Sequence, residues 1–117
     1  MDPFTIAYIE AALWSSTDNS DEQGGAPLDA NYDFDDIAPE TLASILDDCK
    51  AFQEAHADDI GSESERAGHD FWLTRNGHGA GFWDGDWEDD VGERLTEASH
   101  AYGSVDFYVG DDGLLYS

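Results

Sequence analysis

Four residues in the middle of the chain have side chains suited to acid–base or metal chemistry: His69, Asp70, His78 and Asp84. Histidine titrates near neutral pH and binds metals through its ring nitrogens, and a neighbouring carboxylate can orient the ring. A metal-dependent or acid–base enzyme that uses this cluster is therefore one alternative for the function. Because a surface pair of histidine and aspartate more often has a structural role, we predict no catalytic residue here.

The acidic residues that follow invite comparison with a calcium-binding loop, and Asp84, Asp86 and Glu88 are the candidate metal ligands. Counted from Asp84, the sixth position is Asp89, where an EF-hand requires glycine. The twelfth position is Leu95, where a bidentate glutamate belongs. The pattern therefore excludes an EF-hand and leaves only adventitious binding of Ca²⁺ or Mg²⁺, so we predict no cofactor.

A hairpin is the element predicted to position the histidine cluster. Residues 70–75 and 80–84 flank the dipeptide Asn76-Gly77, which is the strongest short-range signal for a two-residue hairpin turn. Such a pairing would place His69 opposite Asp84. A second hairpin is predicted near the end of the chain, with strands at 105–109 and 114–116.

Three helices are predicted around these hairpins, at about 2–14, 39–57 and 87–102. The first helix opens with Asp2 as its N-cap and Pro3 at its first position, and it is apolar on every side. It is therefore either central or a subunit interface, which makes a homodimer through this helix one alternative. The predicted fold class is α+β, with about three helices packed on a small antiparallel sheet.

Length and composition indicate one domain over residues 1–117, with a long polar loop near 15–36. Hydrophobic residues make up 40% of the chain, which is enough to offset the entropy cost of folding. No apolar run reaches 18 residues, so we expect an intracellular protein that does not contact a membrane. Cys49 is the only cysteine, which excludes an internal disulfide and predicts an apolar filler on the second helix.

The charge of the chain is its most unusual property. The 28 acidic residues face only four lysines and arginines, which gives a formal net charge of −24. The same charge is carried by roughly 40 Å of duplex DNA, and a folded chain of this length is roughly 35 Å across. Such a field repels nucleic acid and anionic membranes, and it attracts basic protein surfaces.

Many carboxylates are predicted to lie in two rows on the outer faces of helices. The first row, on the second helix, comprises Glu40, Asp47, Glu54 and Asp58. The second row, on the third helix, comprises Asp89, Asp90, Glu93 and Glu97, and Asp86 adds an acidic side chain from the loop before it. Like charges at four-residue spacing destabilise a helix slightly, so helix stability does not explain the second row.

Several segments of the chain resemble a family of small uncharacterised proteins encoded by tailed phages. The resemblance is carried by "AALWSS", "GGAPLDANYDFDDI", "GHDFWLTRNGHGAGFWD", "LTEASHAYG" and "YVGDDGLLY". It covers nearly the whole chain, and its most specific part is the stretch that begins at Gly68. The resemblance implies a viral setting, in the cytoplasm of an infected host cell, but it assigns no reaction and no functional residues.

These observations favour a small viral accessory protein that is not an enzyme. The rows of carboxylates predict a nucleic-acid mimic that binds a basic, nucleic-acid-binding host protein, such as a restriction or CRISPR component, without contacting nucleic acid itself. The alternative is a phage protein of structural or other role whose surface is adapted to a salt-rich cytoplasm. Lys50 is the only lysine, as such an adaptation would produce.

Overall fold

The computed structural model describes residues 1–18, 26–30, 32–77, 81–82 and 87–117. The helices in this part of the chain are α1 (Pro3–Ser15), α2 (Pro39–Ala55), α3 (Ala57–Ile60), α4 (Ser64–Arg75) and α5 (Asp89–Ala101). Two antiparallel pairs of short strands accompany them: β1 (Thr17–Asp18) with β2 (Ala26–Pro27), and β3 (Tyr108–Val109) with β4 (Leu115–Tyr116). Single 3₁₀ turns occur at Leu28–Ala30 and Phe34–Asp36.

The described fold is mostly helical, so the prediction of an α+β fold is wrong. Its helices pack on one another, and the most extensive contact is between α1 and α4. Each of these strands is only two residues long. A sheet of this size has no face large enough for a layer of helices to pack on. The core is therefore formed between helices.

Helix α1 is confirmed as predicted, and it lies at the centre of the fold. The Asp2 side chain accepts a hydrogen bond of 2.8 Å from the backbone N–H of Thr5, which satisfies a donor that the helix leaves free. Phe4, Tyr8 and Ile9 are all buried. Most apolar residues of α1 are thus packed within the chain, whereas Ile6 and Trp14 are exposed.

Helix α4 replaces the strand that was predicted over residues 70–75. A type I′ turn requires positive φ at both central residues, but Asn76 has φ −101° and only Gly77 is positive, at +70°. Asn76 instead caps the helix: its Nδ2 donates to the Trp72 carbonyl at 2.9 Å, and its Oδ1 accepts from the Val105 N–H at 2.8 Å. The predicted partner strand, 80–84, lies largely outside the described residues.

Gly68 allows α1 and α4 to approach each other closely. A Cβ atom at this position would lie 2.0 Å from the backbone oxygen of Phe4, a separation that no side chain tolerates. Next to this contact, Phe71 of α4 stacks on Phe52 of α2 with ring centroids 4.2 Å apart. The helices are thereby joined into one aromatic core.

The hairpin near the end of the chain is confirmed, with shorter strands than predicted. Tyr108 pairs with Tyr116 and Val109 with Leu115. Leu115 is fully buried, and its carbonyl accepts a hydrogen bond of 2.9 Å from the Ala38 N–H just before α2. This contact fixes the hairpin against the start of α2.

Candidate functional site

The histidine cluster is only partly within the described residues, because His78 and Asp84 lie outside them. His69 and Asp70 are neighbours on α4, with 3.2 Å between Nδ1 and Oδ1. The His69 side chain is half-exposed, and its ring stacks on Trp14 with centroids 5.8 Å apart.

Asp70 is a buried residue whose carboxylate joins two parts of the chain. Its Oδ2 accepts a hydrogen bond of 2.8 Å from Nε1 of Trp87, just before α5. Its Oδ1 is the atom that faces His69. A carboxylate held by these contacts positions Trp87 against α4, which is a structural task.

The candidate metal ligands do not form a site in the described part of the chain. Asp84 and Asp86 lie outside it, and Glu88 is an exposed residue at the N-cap of α5. Among the described residues, no three potential ligands from His, Cys, Asp and Glu come together. Metal binding at Asp84, Asp86 and Glu88 stays a prediction.

The first acidic row follows α2. Glu40, Asp47 and Glu54 are all exposed, and their seven-residue spacing places successive carboxylates about 10.5 Å apart along the helix axis. Asp58 is also exposed, but it belongs to α3, because α2 ends at Ala55 and His56 separates the two helices. The regular part of this row therefore ends at Glu54.

The second acidic row follows α5, whose observed bounds agree closely with the predicted helix. Asp89, Asp90, Glu93 and Glu97 are all exposed. Asp86 lies outside the described residues. At four-residue spacing, Asp89, Glu93 and Glu97 are about 6 Å apart along the axis and form one acidic edge of the helix.

An ion pair connects the segments that carry the two rows. Nη2 of Arg94 on α5 lies 2.6 Å from Oδ1 of Asp59 on α3, the short helix that directly follows α2. The hydrogen bond from Arg94 lowers the pKa of the Asp59 carboxyl below its ordinary value. Arg94 also lies 3.5 Å from Asp90, one turn away. The two rows thus belong to parts of the chain that are fastened together.

Most of the positively charged side chains in the described part of the chain form contacts within the fold. Arg75 is buried, where its guanidinium donates to Asp48, to the Tyr8 hydroxyl and to the carbonyls of Tyr102 and Gly103, which directly follow α5. Arg66 lies 3.5 Å from Glu63 at the start of its own helix. Among the basic residues, Lys50 alone is exposed without an ion pair to a described residue.

Exposed carboxylates also occur on other elements, among them Glu10, Asp29, Glu65, Asp106 and Asp111. Exposed negative charge is therefore not confined to the two rows. The Cα dimensions of the chain are 44 × 26 × 21 Å. A length of 44 Å of duplex DNA carries about 26 phosphate charges, close to the net charge of −24 here.

Cys49 is confirmed as a buried filler on α2. It is fully inaccessible, and its burial raises the pKa of the thiol to about 12. Burial and a raised pKa are typical of a structural cysteine, whereas reactive cysteines are accessible and have a lowered pKa.

Sequence reasoning missed the structural role of Arg75 and a groove beside α5. The predicted strand over residues 70–75 includes Arg75, and the neighbouring residues in the sequence do not indicate that this cation is buried. The groove is formed by Phe82, Trp87 and Gly92, and the sequence signal for it is a glycine within an otherwise regular amphipathic helix.

No helix in the described ranges combines the length and the apolar character that a membrane crossing needs. The chain matches no family model, and no curated protein or solved structure matches it.

Proposed function

We propose that this chain is a nucleic-acid mimic, which occupies the basic surface of a DNA- or RNA-binding protein in place of a phosphate backbone. On the phage resemblance, the partner is a host defence protein, such as a restriction or CRISPR component, met in the cytoplasm of the infected cell. The chain acts by binding and carries out no reaction.

The charge carried per unit length is the observation that supports this proposal most. The net charge of −24 over a longest dimension of 44 Å is close to the phosphate density of a duplex of the same length. A groove that evolved to neutralise phosphates therefore meets a similar amount of charge on this surface. Attraction between such fields increases the rate of association and favours basic partners over all others.

The two acidic rows provide the order that a mimic needs. Glu40, Asp47 and Glu54 project from one helix, and Glu93 and Glu97 project from another. Because side chains on a helix are held at fixed axial steps, the carboxylates offer a regular spacing to the partner's cations. The Arg94–Asp59 ion pair restrains α5 relative to the segment that follows α2.

Adaptation to high salt is the competing interpretation, and the single lysine favours it. In a chain adapted in this way the charge serves solubility, so the number of carboxylates matters and their arrangement on the surface does not. Thermal unfolding at increasing KCl separates the two cases. A mimic is folded at about 0.1 M KCl, whereas an obligate halophilic chain is stabilised only at roughly 1 M KCl, where its surface charges are screened.

Capture of partners from a host lysate, followed by purification of the captured protein, tests the proposal. The expected partner binds nucleic acid, and DNA or RNA competes with the chain for it. The purified complex is expected to weaken by roughly tenfold or more between 50 and 200 mM salt, because its exposed charges are screened. A partner that binds equally well at both salt concentrations, or whose nucleic-acid binding is unaffected, contradicts the proposal.

A further inference from the structure

A groove of about 400 Å³ runs beside α5, on the side of the helix where the second acidic row lies. Its floor is formed by Phe82, Trp87 and Gly92. Its rim carries four carboxylates, those of Glu88, Asp89, Glu93 and Glu97. The volume falls in the range of sites that hold small ligands or single side chains.

The floor is held in place by contacts within the chain. Phe82 is buried, and the Trp87 ring meets it edge-on with centroids 5.4 Å apart. Nε1 of Trp87 donates to Asp70, so the polar edge of the indole is already satisfied. Gly92 lies against the Phe82 backbone, where a Cβ would be only 2.6 Å from the carbonyl oxygen. The groove is thus a prearranged aromatic surface.

The rim carboxylates form no ion pair with a cation in the described part of the chain. None of the ion pairs within the described ranges involves Glu88, Asp89, Glu93 or Glu97. Asp90 differs from them, because it lies 3.5 Å from Arg94. No described cation therefore relieves the repulsion among the like charges along this edge.

We propose that the groove binds an arginine side chain of a basic protein partner. The flat guanidinium stacks on the indole of Trp87, and its N–H groups reach the rim carboxylates in pairs. Its aliphatic stem covers the apolar floor. This inference rests on the proposed function, since it names the anchor by which the α5 surface selects its partner.

Other occupants fit this groove less well. An anion is repelled by the four carboxylates, and an uncharged apolar group would desolvate them without compensation. Lysine brings its charge as a single strongly hydrated point, so it uses the aromatic surface less well than the flat guanidinium does. The combination of an aromatic floor and an acidic rim therefore favours arginine.

The direct test is a titration of the full chain with acetyl-Gly-Arg-Gly-amide, followed by NMR of the Trp87 indole N–H. Peptides with citrulline or lysine in place of arginine are the controls, because citrulline keeps the shape and removes the charge. We expect the arginine peptide to shift the Trp87 signal, with citrulline binding about tenfold or more weakly. Equal binding of the arginine and citrulline peptides overturns the proposal.

Two matched variants distinguish binding in the groove from attraction by the net negative charge of the chain. Glu93→Gln and Glu54→Gln remove the same charge from exposed helix positions, but only Glu93 lines the groove. Glu93→Gln is expected to weaken binding of the arginine peptide several-fold, and Glu54→Gln to leave it nearly unchanged. Equal weakening by both variants overturns the proposal, because the peptide then senses only the total charge.

Thr96→Leu fills the groove without changing any charge, since Thr96 is one of its lining residues. We expect this variant to lose binding of the arginine peptide and to bind the captured partner at least about tenfold more weakly. If it loses the peptide but binds the partner as before, the anchor is refuted while the proposed function stands. If the wild-type chain binds the arginine peptide but no nucleic-acid-binding partner, the proposed function fails, and with it the assignment of a partner to the groove. Should Thr96→Leu not fold, the matched glutamate pair decides the test.

Discussion

Nη1 of Arg75 donates a hydrogen bond of 3.0 Å to Oδ2 of Asp48. The Arg75 side chain is only 2% exposed, whereas that of Asp48 is 39% exposed. The guanidinium also lies over the rings of Phe71 and Tyr102, at 5.4 and 5.6 Å from their centroids. A chain with only four basic residues thus uses one of them inside its core, and its exposed cations are correspondingly fewer.

Replacement of this cation is expected to destabilise the fold strongly. Arg75→Met leaves Asp48, the Tyr8 hydroxyl and two backbone carbonyls without their donor, so the free energy of unfolding falls by roughly 2–4 kcal/mol. Urea denaturation measures the loss. Lys50→Met is the control, with an expected change within about 0.5 kcal/mol, because Lys50 is exposed. Similar losses in the two variants would contradict the role of Arg75.

A methyl group at Gly68 is expected to separate α1 from α4. Alanine is favoured over glycine within a helix by roughly 1 kcal/mol, but its Cβ would meet the Phe4 backbone oxygen at 2.0 Å. We expect the clash to outweigh the gain in helix propensity, so that Gly68→Ala lowers the free energy of unfolding by about 1–3 kcal/mol or more. Glu65→Ala, at an exposed position of the same helix, is the control for helix propensity. A Gly68→Ala chain more stable than wild type rules out this packing.

Stability is expected to fall at alkaline pH. Burial raises the pKa of Cys49 from 9.0 to about 12, so the folded state keeps a proton that the unfolded state releases. The contribution of the protonated Cys49 thiol to the free energy of unfolding is complete below pH 9. It is lost as the pH rises towards 12, by at most about 1.4 kcal/mol per pH unit. Burial also raises the pKa of Tyr8 above its ordinary 10.0, which adds to the loss above pH 10.

Urea denaturation at pH 8, 9 and 10 checks this dependence, because Tyr8 contributes little in that interval. Cys49→Ala is expected to be less stable than wild type at pH 8, and its stability should change less between pH 9 and 10. The thiol would not be the source of the dependence if Cys49→Ala and wild type gave the same slope.

His69→Ala is expected to leave partner binding unchanged. The ring stacks on Trp14 and lies beside Asp70, outside both acidic rows. Affinity for the captured partner is the measurement, with circular dichroism as the control for folding. Loss of function in this variant, with the acidic-row variants unaffected, would support the enzyme alternative instead.

Local signals predicted the elements whose ends are set by adjacent residues. The proline and N-cap of α1 and the glycine turn between β3 and β4 act over a few residues, and both elements occur where expected. The apolar face of α5 is also a local signal, because it repeats every three to four residues. The apolar faces of α2 and α5 identify the opposite faces as exposed, and the acidic rows could therefore be predicted to lie there.

Helix α4 shows where local reasoning fails. It is buried on nearly every side from Ala67 to Arg75, so it lacks the alternation of apolar and polar faces that identifies a surface helix. Asn76-Gly77 then favoured a hairpin, although a helix C-terminus uses the same two residues. The Arg75 contacts and the groove beside α5 join residues distant in sequence, and no short-range pattern contains them.

The most direct measurement of the central claim compares two variants of equal charge. The row variant is Glu40→Gln, Asp47→Asn, Glu54→Gln, Glu93→Gln and Glu97→Gln. The scattered control is Glu10→Gln, Asp29→Asn, Glu65→Gln, Asp106→Asn and Asp111→Asn, at exposed positions outside the rows. Both variants lose five negative charges. A difference between them in affinity for the captured partner therefore depends on where the carboxylates lie and not on the total charge. We expect the row variant to bind at least about tenfold more weakly than the control; equal affinities would contradict the mimic and leave total charge as the only cause of binding.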